Sequence, residues 1–153
     1  MAVTMHAKAQ AEPLSLKEPL SQTVVSMVVR DLGVYKDMAT KAEGLGFLSA
    51  QVDLDGDGLN ELLLKPIDNY GWCEGDFRTQ NCMVNIIKIT EGKAKLLANF
   101  KAESVEILPS ITQGFHDLAI GQWQRKTNQP ITHERIIMKM RWTGTQYEFA
   151  GGK

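Results

Sequence analysis

The spacing of apolar residues changes character once along the chain. From Leu16 to about Gly44, in LKEPLSQTVVSMVVRDLGVYKDMATKAEG, Val24, Val25, Val28, Val29 and Leu32 recur three and four apart. That is the period of a helix with one buried face. Ser21 suits the N-cap, Gly44 the C-terminal cap, and Gly33 is a place where the run divides into two helices. From Phe47 onward the runs shorten and alternate: FLSAQVDL, ELLLKPI, SVEILPSI and GFHDLAIGQWQ read as strands. CMVNIIKITEGKAKLLANF reads as a hairpin turning at Glu91-Gly92-Lys93, and ERIIMKMRWTGTQYEFA as one turning near Thr143-Gly144-Thr145. The expected fold is α+β, with an N-terminal helix or helix pair packed on an antiparallel β-sheet.

Composition bounds the function classes. At 153 residues the chain is the size of one domain, and 43% hydrophobic with 23% charged residues is the balance of a globular protein. A net charge of −1 with scattered Lys and Arg gives no basis for binding nucleic acid or anionic lipid. No apolar run approaches the ~20 residues that cross a bilayer as a helix, so membrane insertion is not expected.

The first segment and the cysteines bear on compartment. Residues 1–13, MAVTMHAKAQAEP, carry the small-x-small triplet Ala9-Gln10-Ala11 of a signal-peptidase site but lack an apolar stretch before it. The segment reads as a residual export signal or as a disordered tail, leaving residues 14–153 as a single domain. Cys73 and Cys82 are too far apart for a Cys-x-x-Cys motif, and no second pair completes a zinc site. They can close a ten-residue disulfide loop, stabilising by about 2–3 kcal/mol. A periplasmic or secreted location is expected with that disulfide; in a reducing cytosol they are two thiols.

The densest chemistry lies in VDLDGDGLNELL, where Asp53, Asp55 and Asp57 alternate, Gly58 follows and Glu61 closes the loop. Ca2+ is a hard cation that takes six to eight oxygens, and a tight turn with alternate acids converges them. Counting Asp53 as position one, ligands fall at one, three and five, Leu59 at seven offers its carbonyl, and the closing acid Glu61 comes at nine. An EF-hand would close with a bidentate acid at twelve, where this chain has Leu64. The spacing instead fits the shorter Asp-x-Asp-x-Asp-Gly-x-x-Asp/Glu loop and resembles the calcium loops of integrin-type FG-GAP repeats, held between strands. The expected ligands are therefore Asp53, Asp55, Asp57, Leu59 and Glu61. Mg2+ suits the loop less, because it demands strict octahedral geometry. The alternative is a solvated acidic hairpin whose Asp-Gly steps only build the turn.

Taken together, the helix-rich start, the Asp-Leu-Asp-Gly-Asp-Gly-x-x-Glu loop, the cysteine pair, GFHDLAI and the final Trp-x-Gly-x-x-Tyr hairpin resemble a group of small exported bacterial proteins, mostly uncharacterised. The resemblance covers about residues 47–149. It implies a periplasmic or secreted α+β domain with one bound cation, and it implies no reaction.

Catalytic constellations are sparse. His116-Asp117 and His133-Glu134 are neighbours in strand-like runs, so their side chains point to opposite faces. Cys73 with His116 is a further pair, against which the disulfide is the simpler account. Tyr70, Trp72 and Phe77 surround the cysteine loop and suit either partner recognition or the edge of the core; Trp123 and Trp142 suit the core. The expected function is an exported, noncatalytic calcium-binding module with a protein partner, such as an inhibitor or immunity protein against a cell-wall-degrading enzyme. The second reading is a calcium-dependent hydrolase of an envelope polymer, which requires the ion to keep an open position beside a cleft.

Overall fold

Alternating apolar residues after Phe47 bury one face of each strand, and in the computed structural model strands dominate the residues described, 12–32, 47–66, 73–75, 79–128 and 131–150. Three short elements come first: β1 (Glu12–Leu14), β2 (Glu18–Pro19) and α1 (Gln22–Asp31). Antiparallel β3 (Phe47–Val52) and β4 (Glu61–Pro66) follow, with Val52 opposite Glu61. β5 (Cys73–Glu74) pairs with β6 (Asn81–Thr90), which forms a hairpin with β7 (Lys93–Ala102). Its turn places Glu91 at φ 53° and Gly92 at φ 76°, the left-handed pair that a two-residue hairpin turn needs. β8 (Ser104–Thr112), β9 (Phe115–Asn128), β10 (Ile131–Trp142) and β11 (Tyr147–Phe149) complete the described chain.

These strands form two antiparallel sheets, one in the order β1-β8-β9-β10-β11, the other β2-β3-β4-β6-β5 with β7 also paired to β6. The chain changes sheet between Ala102 and Ser104, across Glu103, whose N–H donates to the Gly121 carbonyl. The principal core lies between the sheets. Leu63, Val84, Ile86 and Phe100 from one face Val105, Leu118, Ile120 and Met140 from the other. A smaller cluster joins Val25, Val28 and Leu32 of the α1 region to Phe47, Leu62, Leu64 and Ile87. Residues Val84 to Ile87 are all buried, because β6 has apolar material on both faces.

The expected architecture of an N-terminal helix or helix pair packed on a single sheet is corrected by these sheets. The described helix spans ten residues, capped by the Ser21 hydroxyl accepting the Val24 N–H at 3.3 Å. The larger core is sheet against sheet, and the short helix covers only the smaller cluster. The strands after Phe47 had been assigned to one layer because strand patterns do not reveal where a chain crosses between sheets. A second helix would fall at residues 33–46, outside the described residues, as does the segment 1–11. β1 takes in residues 12 and 13 of the segment read as a signal or tail, pairing Glu12 with Ile107 and Pro13 with Glu106.

Candidate metal centre

The acidic loop occupies residues 53–60 between β3 and β4, and its alternate aspartates fold it by accepting the loop's own N–H groups. Asp53 takes the Gly56 N–H on Oδ1 and the Gly58 N–H on Oδ2, both at 2.8 Å. Asp55 Oδ1 takes Asp57 N–H at 3.2 Å, and Asp57 Oδ1 takes Leu59 N–H at 2.8 Å. Gly56 and Gly58 sit at φ 75° and 87°, where the left-handed backbone rather than lack of space selects glycine.

One loop residue is not at the surface. Leu54 is fully buried in the principal core, its N–H donates to Glu61 Oε1 at 2.6 Å, and its carbonyl accepts the His116 N–H at 2.9 Å. The loop is thereby anchored to both sheets.

Asp53, Asp55 and Glu61 converge, offering one oxygen each, all within 4.8 Å of one another. These three can hold a metal ion. Glu61 is fully buried, and its Oε2 has no hydrogen-bond partner. Lys88 Nζ lies 3.1 Å from that oxygen, close enough to pair as an ion but not aligned as a donor. The same ammonium donates to Asp55 Oδ2 at 2.8 Å and Asp57 Oδ2 at 2.7 Å. Burial pushes the Glu61 carboxyl above the ordinary range, against the opposing pull of the Leu54 N–H and Lys88. Hydrogen bonding from Lys88 holds Asp57 down to about 2, and the bonds that Lys88 donates to Asp55 and Asp57 raise its own ammonium.

Of the expected ligands, Asp57 stands outside the converging three and turns Oδ2 to Lys88. Leu59 is exposed and donates its N–H to Asp57. Lys88 was absent from the sequence reading. It is a lone lysine in the apolar run IIKI, and continuing the register of Leu62 opposite Ile87 by one step places it opposite Glu61. That register depends on the fold, so only the oddity of the lysine was visible beforehand.

Cys73 and Cys82 form the expected disulfide, facing each other across β5 and β6. No cysteine is free, which removes the proposed Cys73–His116 pair. Tyr70, Trp72 and Phe77 lie outside the described residues. Trp142 is buried and stacks on Phe115 at a ring-centroid distance of 4.1 Å.

His116 and Asp117 do not act together. His116 Nδ1 contacts the Leu108 carbonyl at 2.7 Å, while buried Asp117 accepts the Ser110 and Thr112 hydroxyls at 2.6 and 2.7 Å. Burial would raise the Asp117 carboxyl, but these hydroxyls and the charges of Lys139 and Arg141 outweigh it and leave the group below its ordinary value. The groove beside the loop is lined by Pro19, Leu20, Val24, Leu62, Ile89 and Asn60, among others, and by none of the loop carboxylates.

No protein-family model, curated protein or solved structure matches this chain.

Proposed function

We propose that this chain is an exported, noncatalytic binding module whose β3–β4 loop is clamped by Ca2+. The observation that carries the reading is the convergence of one oxygen each from Asp53, Asp55 and Glu61, together with a fully buried Glu61 whose Oε2 accepts no hydrogen bond and has only the Lys88 ammonium at 3.1 Å beside it. Buried polar atoms are seldom left without partners, and one ammonium is a poor match for four carboxyl groups. A hard dication that takes several oxygens at 2.3–2.6 Å suits such a donor set, and calcium tolerates irregular geometry better than magnesium. Asp53, Asp55 and Glu61 would hold the ion, which supplies charge neutralisation and no reaction.

The Cys73–Cys82 disulfide supports an oxidising compartment and hence export. The noncatalytic part rests on the engaged side chains of His116 and Asp117 and on the lack of a loop carboxylate in the adjoining groove. On this reading the partner is a protein, and cell-wall-degrading enzymes are the class to assay first, because they occupy the same compartment. Isothermal titration of the chelated protein with CaCl2 is expected to give one ion per chain, and Glu61→Gln to abolish the heat. Heat that survives Glu61→Gln, or none from the unaltered chain, defeats the reading.

A further inference from the structure

We propose that Lys88 is the built-in occupant of the cation seat, so that its ammonium and the metal ion are mutually exclusive and metal entry expels it. The inference rests on the calcium reading above and adds what sets the affinity of that site. Lys88 Nζ lies within 3.1 Å of Asp55, Asp57 and Glu61, and Asp55 and Glu61 are two of the three groups that converge for a metal. A dication held by those two oxygens and an ammonium held by the same two carboxylates cannot coexist, because each would sit against the other's positive charge.

The groups differ in which can yield. Glu61 is fully buried, its Oε1 is held by the Leu54 N–H, and it begins a strand in which Leu63 and Leu64 are wholly enclosed. Lys88 springs from β6 beside the equally enclosed Ile86 and Ile87, so its backbone is fixed as well. Its side chain, however, is 23% exposed, and a lysine carries its charge on a flexible four-carbon stem. Lys88 can swing its ammonium to water while Glu61 stays. The carboxylates are therefore partly compensated by the Lys88 ammonium when metal is absent and more fully by metal when it is present, and the loop keeps its shape in both states at the cost of affinity.

Lys88→Met keeps the stem's bulk and removes the competitor. Chelated protein and variant are titrated with CaCl2 by calorimetry, and the lysine ammonium 1H–15N signals of the unaltered protein are followed through the same titration. A variant binding at least tenfold tighter, with the Lys88 ammonium signal detectable under chelator and lost or moved at saturation, supports the proposal. Binding by the variant alone overturns both the proposal and the calcium reading, because no metal then enters the natural chain to expel Lys88. Equal or weaker binding by a folded variant overturns the proposal and leaves the calcium reading standing. An ammonium signal unmoved at calcium saturation does the same, and it decides the matter if Lys88→Met fails to fold. Binding by neither protein overturns both.

Discussion

Glu61 accepts the N–H of Leu54 at 2.6 Å, joining the first residue of β4 to a loop residue whose side chain lies in the principal core. Because Glu61 is fully buried, this one bond does two jobs: it closes the loop and it fixes the carboxylate that converges with those of Asp53 and Asp55. Glu61→Ala leaves the Leu54 N–H unpaired, and a loss of about 1–3 kcal/mol is expected in chelated buffer. Glu61→Gln retains an acceptor and is expected to lose under about 1 kcal/mol in urea unfolding while losing all stabilisation by calcium. Equal losses for the two variants would contradict this division.

Acid should weaken the metal-free protein. Asp57 is lowered from 3.8 to about 2 by Lys88, and Asp31 is lowered by Arg30 and by the N–H of Ala94. Both carboxyls have folded-state values below their unfolded ones, so the unfolded chain binds more protons as pH falls below about 4. Stability held above that point is then lost progressively as pH drops through about 2. In chelated buffer, Asp31→Asn is expected to make the loss between pH 4 and pH 2 shallower. A denaturation series with unchanged slope would show that the bonds from α1 to the β6–β7 hairpin contribute nothing there.

The disulfide joins β5 to the start of β6, the strand that also carries Lys88. Replacing both Cys73 and Cys82 by Ser is expected to cost about 2–3 kcal/mol by loop entropy. The sheet-against-sheet core does not depend on it, so far-ultraviolet circular dichroism should be preserved. Loss of the folded signal at room temperature would assign the disulfide a larger role.

Asp117 is a structural acid on this account. Asp117→Ala leaves two hydroxyls, those of Ser110 and Thr112, without their acceptor, and a loss of about 2–3 kcal/mol is expected. Calcium affinity should not change. A stable variant that loses a hydrolytic activity present in the natural chain would instead favour the enzyme reading.

What was legible in the sequence was local. Acids at every second position, followed by glycine, marked the loop; Glu91-Gly92 marked a turn; two cysteines marked a disulfide-closed loop, though not the β5–β6 pairing it spans. Each depends on residues close in the chain. The partition of strands into two sheets was hidden because the crossover at Glu103 has no turn signature, and VNII in β6 reads alike whether one face is covered or both. Leu54 sits among aspartates, and nothing in that setting marks it as the core residue it is. Lys88 is 27 residues after Glu61 and was invisible as its partner until β4 and β6 were placed side by side. The helical period did find α1, but the same run took in Glu18 and Pro19, which form the short strand β2.

The occupancy of the loop by calcium is tested most directly by thermal unfolding of the chain in chelator and in calcium at about 100 times the dissociation constant. Binding to the folded state alone adds about 2.7 kcal/mol at that ratio, which for a chain of this size raises the midpoint by roughly 5–10 °C. Glu61→Gln should show no rise. Identical midpoints for the natural chain in the two buffers, with no bound ion in its native mass spectrum, would contradict the calcium clamp outright.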